Sequence, residues 1–294
     1  MTNHNQFRGF TFIVGIDIAK SVFQAYTCNV QTGEITNEQV KRADLLERFA
    51  DRGKCLIGME ACGSSQYWAR KFQVLGHTVR LMDVKLVKPF VQHNKSDRAD
   101  AEGIFNAVMQ GVREVAIKNE TERDLQTMLT MRAKIVEQCT ANINHVRGLL
   151  AEYGQVIPRS TTQFSKKVDE CINALEGDAV QLVINTLRDT VRQIREATER
   201  LVALKREITR LAHETKHSKY LLSVPGVGPI IMAYMCVLLS DPSVFSSGRQ
   251  FAAYLGLAPI HTGSGGKTIN TSVPGRCDKR LRALLVEGAQ AGHA

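Results

Sequence analysis

Leu125, Leu129, Arg132, Val136, Cys139, Ile143, Val146 and Leu150 follow one another at spacings of 4, 3, 4, 3, 4, 3 and 4. Only an α-helix brings residues so spaced onto one face, and Arg132 is the one polar member of the seam. A second stripe runs through Ile184, Leu187, Val191, Ile194, Ala197, Leu201, Leu204, Ile208 and Leu211, again with a period near 3.5. Each stripe demands a helix on the order of 40 Å long at 1.5 Å per residue. Pro158 and the Ser/Thr-rich run "PRSTTQFS" separate the two. Residues 116–215 therefore read as two long helices. They form either a coiled-coil arm that drives self-association or a helical bundle closed within one monomer.

The preceding residues, 10–115, alternate in type. "FTFIVGIDIA" reads as a buried strand, followed by strands in "VFQAYTCNV" and "GEITNEQV" around a turn at Thr32–Gly33. "ADLLERFADRG" is a short helix closed by Gly53, "KCLIGME" a strand, "SSQYWARKFQVLG" a helix ended by Gly76, and "HTVRLM" a further strand. A helix follows from Ser96, whose hydroxyl suits an N-cap. This order predicts an α/β layered domain with a mixed sheet.

Residues 216–294 open on "LLSVPGVGPIIMAYMCVLL". "PGVGP" between two apolar helical runs resembles a helix-hairpin-helix, in which Gly226 and Gly228 give a tight turn whose backbone N–H groups face a phosphate. The alternative is a packing corner between helices. "FSSGRQFAAYLGL" is another short helix, and "HTGSGGKTINTSVPGRCDKRLRALL" is a Gly/Ser-rich loop running into a basic helix. Charge matters most here. The chain carries a net +9, and this last segment holds 8 basic against 3 acidic residues, a bias that suits a polyanion.

Composition excludes several classes. A hydrophobic content of 44% with 23% charged residues is that of a globular, soluble protein. No apolar run is long enough for a bilayer span and no signal segment opens the chain, so a cytoplasmic location and no membrane partner are expected. Seven cysteines without a CxxC pair argue for reduced thiols and against a cysteine zinc site. "HETKH" at His213–His217 fits a zinc-protease pattern, but its lysine-rich surroundings fit a solvated helix end. "GSGGKT" lacks the first glycine of a P-loop at the required spacing.

The chemistry lies in four acids. Asp17 sits near the end of the first strand in "GIDIAK", and Glu60 ends the fourth in "GMEACG". Asp97 and Asp100, in "NKSDRADAEGI", share one face of the Ser96 helix with Ile104 and Val108. A charge in an apolar strand is costly unless paired or metal-bound. Singly, each acid has another explanation: Asp17 as a turn cap, Glu60 paired with Arg98, the two helix acids serving the dipole. Together they offer only oxygen ligands, which favour Mg²⁺ or Mn²⁺ and the two-metal chemistry of phosphodiester displacement.

These motifs, in this order and spacing, resemble the DEDD signature of a large family of bacterial insertion-sequence transposases, which includes bridge-RNA-guided recombinases and Piv-like invertases. The resemblance implies an RNase H-like (RuvC-like) nuclease domain similar to Holliday-junction resolvases, with Asp17, Glu60, Asp97 and Asp100 as its metal tetrad. "LLSVPGVGPIIMAYMCVLLSDPSVFSSGRQFAAYLGLAPIHTGSGGK" is similar to that family's C-terminal transposase domain, where a serine before a glycine is the nucleophile. Gly263 stands where the first serine of that loop often stands, leaving Ser264 as the match. Lys267, Arg276, Lys279 and Arg280 supply cations for DNA phosphate. The resemblance further implies DNA and a structured guide RNA as partners. Family members usually run on for some tens of residues past "EGAQAGHA", so a C-terminally truncated copy is an expectation.

The expected architecture is therefore an RNase H-like mixed-sheet domain, a long coiled-coil arm that carries homo-oligomerisation, and a small mostly α C-terminal domain. Competing functions remain: a structure-selective metal-dependent nuclease without serine chemistry, an inactive DNA-binding remnant, and a sugar-kinase or actin-like ATPase suggested by "GIDIAKS". The last needs a second Gly-rich phosphate motif, which is missing before the long helices.

Overall fold

The computed structural model describes residues 7–92, 96–259, 261–262, 269–270 and 278–292. The chain divides into two units. One runs to Lys118 and includes Ser240–Gly248; the other comprises Asn119–Leu239 and the chain from Arg249 onward.

The first unit is built on six strands: β1 Phe12–Asp17, β2 Val22–Asn29, β3 Ile35–Lys41, β4 Cys55–Glu60, β5 Thr78–Met82 and β6 Glu114–Val115. Their order is β3-β2-β1-β4-β5-β6. β1 pairs antiparallel with β2 and parallel with β4, and β4 pairs parallel with β5. The sheet is thus mixed, as the strand-helix alternation predicts, and it fits an RNase H-like domain. β6 is an addition that the residue pattern does not announce. It is only two residues long and is held by the Arg80–Glu114 ion pair at 2.9 Å.

Helices cover both faces. α1 Leu45–Ala50 and α2 Ser65–Val74 pack on one, where Val14, Ile16, Phe23, Ile57 and Met59 meet Phe49, Trp68 and Phe72. α3 Val84–Val87 and α4 Asp97–Met109 cover the other, where Ile13, Leu56 and Met82 meet Ile104 and Val108. The period of two along β1 and β4 sorts these residues: even positions of β1 face α1 and α2, odd positions face α4. His77 is buried beneath this layer. Its Nδ1 accepts from the Cys55 N–H at 3.3 Å, and its Nε2–H donates to the Phe49 carbonyl at 3.0 Å.

The second unit contains α5 Glu120–Glu152 and α7 Gln181–His213, each 33 residues long. They pack antiparallel within the chain. Leu125 and Leu129 cluster with Ile208 and Ala212, while Val146 and Leu150 cluster with Ile184 and Leu187. Both apolar seams are thus covered at their ends by the same chain, leaving Val136 36% exposed midway. Between the long helices lies α6 Thr161–Asn173, which begins inside the Ser/Thr-rich run and extends past it. Ser160 accepts from the Gln163 N–H as its N-cap, and Phe164, Val168, Cys171 and Ile172 follow at helical spacing.

The remaining helices are α8 Ser218–Leu222, α9 Pro229–Leu238, α10 Gly248–Tyr254 and α11 Lys279–Gly292, with the two-residue strands β7 His261–Thr262 and β8 Ile269–Asn270. α9 is apolar all round because α5, α7, α8 and α11 pack about it. Among the described residues no helix is long and apolar enough to cross a membrane.

Candidate metal centre

The centre begins with two glycines. Gly15 and Gly58 are register partners on β1 and β4, and both lie on the face covered by α4. A Cβ on Gly15 would meet the Ala101 carbonyl oxygen at 2.4 Å and the Phe105 nitrogen at 2.5 Å; one on Gly58 would meet Val108 Cγ2 at 2.1 Å. Glycine at both positions lets the helix backbone settle directly on the sheet. The next residues on that face of the two strands are Asp17 and Glu60, at the strands' C-terminal ends.

α4 delivers the other acids. Ser96 accepts from the Ala99 N–H at 3.3 Å, which fixes the first turn and places Asp97 and Asp100 in it. Arg98 is drawn away from them: its guanidinium donates to the Asn37 carbonyl at 3.3 Å, and the Asn37 amide donates back to the Arg98 carbonyl at 3.2 Å. This cross-link ties the helix start to β3.

Asp17, Asp97 and Asp100 each bring a carboxylate oxygen within 4.8 Å of the others, the one group of three or more metal-capable ligands among the described residues. Asp97 is exposed, while Asp17 and Asp100 are half-buried. Glu60 lies outside this cluster of three, one strand over from Asp17. Its charge is nevertheless felt locally: desolvation, then the carboxylates of Glu60 and Asp17, push the Cys62 thiol above its ordinary range. Carboxylates so close repel one another, and a hard cation relieves that repulsion. The donor set, oxygen only and partly open to solvent, fits Mg²⁺ or Mn²⁺ and does not suit zinc's nitrogen and sulfur preference.

Other sequence candidates fall elsewhere. Ser264, Lys267 and Arg276 lie outside the described residues. Lys279 and Arg280 open α11, where the Asp278 carboxylate accepts from the Arg280 and Leu281 N–H groups, and Arg280 reaches Glu137 at 3.6 Å. Gly226 adopts φ +82° and is backed by α11, since a Cβ there would meet the Gly288 carbonyl oxygen at 2.2 Å. Gly228 precedes α9 with open space around its Cα. In "HETKH", α7 ends at His213, Glu214 pairs with Arg210, and His217 caps α8, so the two histidines share no helix face.

Sequence reasoning passed over how Gly15 and Gly58 position the acids. The available signal was a glycine inside each apolar strand, two residues before the acid.

Comparison with known proteins adds identity to this geometry. A family model described as "Transposase IS116/IS110/IS902 family" matches residues 218–293, and a DEDD-type IS110 transposase model matches residues 14–155. A "Probable family 20 transposase" of Pseudomonas aeruginosa is 35% identical over 280 residues, spanning 95% of this chain and 83% of that protein. The transposase for insertion sequence element IS1111A of Coxiella burnetii is 32% identical, spanning 95% of this chain and 77% of its own length. A pilin gene-inverting protein of Moraxella lacunata is 29% identical over 92 residues, 30% of this chain and 28% of that protein.

Proposed function

The chain belongs to the IS110/IS116/IS902 family of DEDD-type insertion-sequence transposases, and on that premise we propose that it cuts and rejoins DNA with a carboxylate metal site and a serine nucleophile. The observation that carries this reading is the convergence of Asp17, Asp97 and Asp100 within 4.8 Å at the end of the strand pair. Glu60 is the fourth member of the set. A Mg²⁺ or Mn²⁺ held by these acids supplies charge neutralisation and Lewis-acid polarisation at a scissile phosphate.

The Ser264 hydroxyl attacks phosphorus. An Oγ–P bond forms as the P–O bond to the departing strand breaks; the serine proton is lost and the departing oxygen is protonated. The phosphodiester is kept as a protein–DNA ester, so a later strand hydroxyl reverses the step without other energy input. Lys267, Arg276, Lys279 and Arg280, with the backbone at Gly226 and Gly228, bind DNA phosphates. A guide RNA selects the DNA sites, and chains associate through the helical hairpin.

The test is a denaturing gel of purified protein, element-end transcript and end-labelled DNA in Mg²⁺. Wild type gives a covalent adduct and exchanged product, while Ser264→Ala and Asp97→Ala give neither. Mixing the two variants restores product where serine and tetrad come from different chains. Cleavage without adduct in the wild type replaces this mechanism with that of a structure-selective nuclease, and DNA binding without cleavage makes the chain a remnant.

A further inference from the structure

A second feature of the first unit lies on the α2 side of the sheet, away from the face that α4 covers. Lys20, Ser21, Lys41, Arg42, Tyr67 and Trp68 line an open cleft of about 730 Å³. Its floor is the backbone where β2 begins and β3 ends: Val22 pairs with Lys41, and the Arg42 N–H donates to the Ser21 carbonyl at 2.9 Å. Lys20 lies three residues beyond Asp17 and Tyr67 seven beyond Glu60, so short connections from the carboxylate strands reach both walls.

Three cations stand here without a carboxylate partner among the described residues: Lys20, Lys41 and Arg42, all exposed. Other guanidinium groups of the unit are engaged within the fold: Arg48 and Arg52 pair with Glu38, Arg80 pairs with Glu114, and Arg70 and Arg98 donate to the Lys118 and Asn37 carbonyls. Arg42 is also held in place. Its guanidinium lies 5.0 Å from the Trp68 ring centre and 5.8 Å from that of Phe23. Trp68 is buried and meets Tyr67 edge to face at 5.1 Å, which props the Tyr67 ring upright with 44% of its surface exposed. Lys71 adds a further ammonium 5.6 Å from that ring.

Unpaired cations around an exposed, propped aromatic ring match the needs of one ligand chemistry: phosphodiester charge along a chain, and a heterocyclic base free to stack. A duplex offers no free base face, so the ligand is unpaired. We propose that this cleft binds an unpaired polynucleotide strand, with Lys20, Lys41 and Arg42 on its phosphates and Tyr67 stacked on one base. The proposal leans on the transposition reading only for the biological source of that strand, DNA or RNA; the binding itself needs neither metal nor Ser264.

Trp68 is the chain's only tryptophan, so its emission reports on this cleft. The experiment titrates full-length protein in EDTA with oligothymidylate and oligouridylate of roughly 12 nucleotides, within the usual site size. It reads Trp68 emission together with anisotropy of labelled strand. Saturable change in both signals is expected. Tyr67→Ala weakens binding on the order of 5- to 150-fold, the worth of one stacked base, while Tyr67→Phe preserves it. Lys41→Gln with Arg42→Gln lowers the slope of log affinity against log salt by roughly 1.4, about 0.7 for each phosphate that is no longer neutralised. These residues are exposed, and far-UV circular dichroism checks each fold. Preference for oligothymidylate assigns the cleft to a DNA strand, and preference for oligouridylate to RNA. Anisotropy change without Trp68 response, or affinity indifferent to Tyr67→Ala and to the double variant, overturns the proposal. Absence of DNA cleavage by the wild type counts against the transposition mechanism and leaves this result standing.

Discussion

Substituting Gly15 by alanine isolates the way the fold gathers the carboxylates of the proposed metal site. The new Cβ would stand 2.4 Å from the Ala101 carbonyl oxygen and 2.5 Å from the Phe105 nitrogen, whereas ordinary contact begins at 3.4 Å. Both atoms belong to the α4 backbone, so no side chain can give way and the helix must move by about 1 Å. Overpacking of this kind costs roughly 1–3 kcal/mol. At around 4 °C per kcal/mol for a unit of this size, the unit should melt about 4–12 °C earlier. The carboxylates should suffer more than the stability. Asp97 and Asp100 ride on α4 and Asp17 stays on β1, so a 4.8 Å cluster opens by a similar amount. Mg²⁺ tolerates little departure from octahedral geometry. Calorimetry with and without Mg²⁺ checks this. At a free concentration near 100 times the dissociation constant, wild type should gain about 2.7 kcal/mol from the ion. A variant binding a hundredfold more weakly would keep only about 0.4 kcal/mol. Gly58→Ala should also destabilise, but its clash is with the Val108 side chain, so adding Val108→Ala should recover part of the loss. The same truncation should do nothing for Gly15→Ala. Wild-type melting and an undiminished Mg²⁺ response in Gly15→Ala would refute the reasoning.

Asp100→Asn should leave metal-free stability within about 1 kcal/mol of the parent, because relief of carboxylate repulsion offsets the lost helix-dipole interaction; the stabilisation by Mg²⁺ should vanish in the same melting assay. Burial pushes the Cys55 thiol up to about 11 from an ordinary 9.0. The unfolded chain therefore loses this proton first, so the stabilisation is complete below pH 9 and is lost as pH rises towards 11, by at most about 2–3 kcal/mol; Cys55→Ala should flatten that part of a stability–pH curve followed by urea unfolding. His77→Leu should cost about 1–3 kcal/mol by leaving the buried Cys55 N–H unpaired, while the Phe49 carbonyl keeps its bond from the Arg52 N–H at 3.3 Å; the loss is read as a lower urea midpoint. In the hairpin, Leu129→Glu buries a charge in the chain's own core and should unfold the second unit, whereas Val136→Glu should leave the fold intact. Light scattering on Val136→Glu then tests association: loss of a larger species places the exposed middle of the seam between chains, and an unchanged mass removes it from the interface.

Much of this was legible in the residues alone, because the signals were local. The Ser96 cap and the apolar spacing after it set α4, and the short continuous apolar runs in "FIVGID" and "CLIGME" set two buried strands that each end on an acid. The 4-3 spacing fixed both long helices. Local periodicity does not say what a face meets. The α5 and α7 seams are equally suited to a partner chain, and only the fold showed that each covers the ends of the other. Likewise, the sequence offered four acids, but their separation depends on how closely α4 approaches the sheet, which the missing Cβ atoms of Gly15 and Gly58 decide. That approach brings three carboxylates within 4.8 Å and leaves Glu60 outside the cluster. The basic and aromatic residues of the cleft were invisible for the same reason. They come from a strand turn, a strand end and a helix start, 20 to 68 along the chain, and only strand pairing collects them.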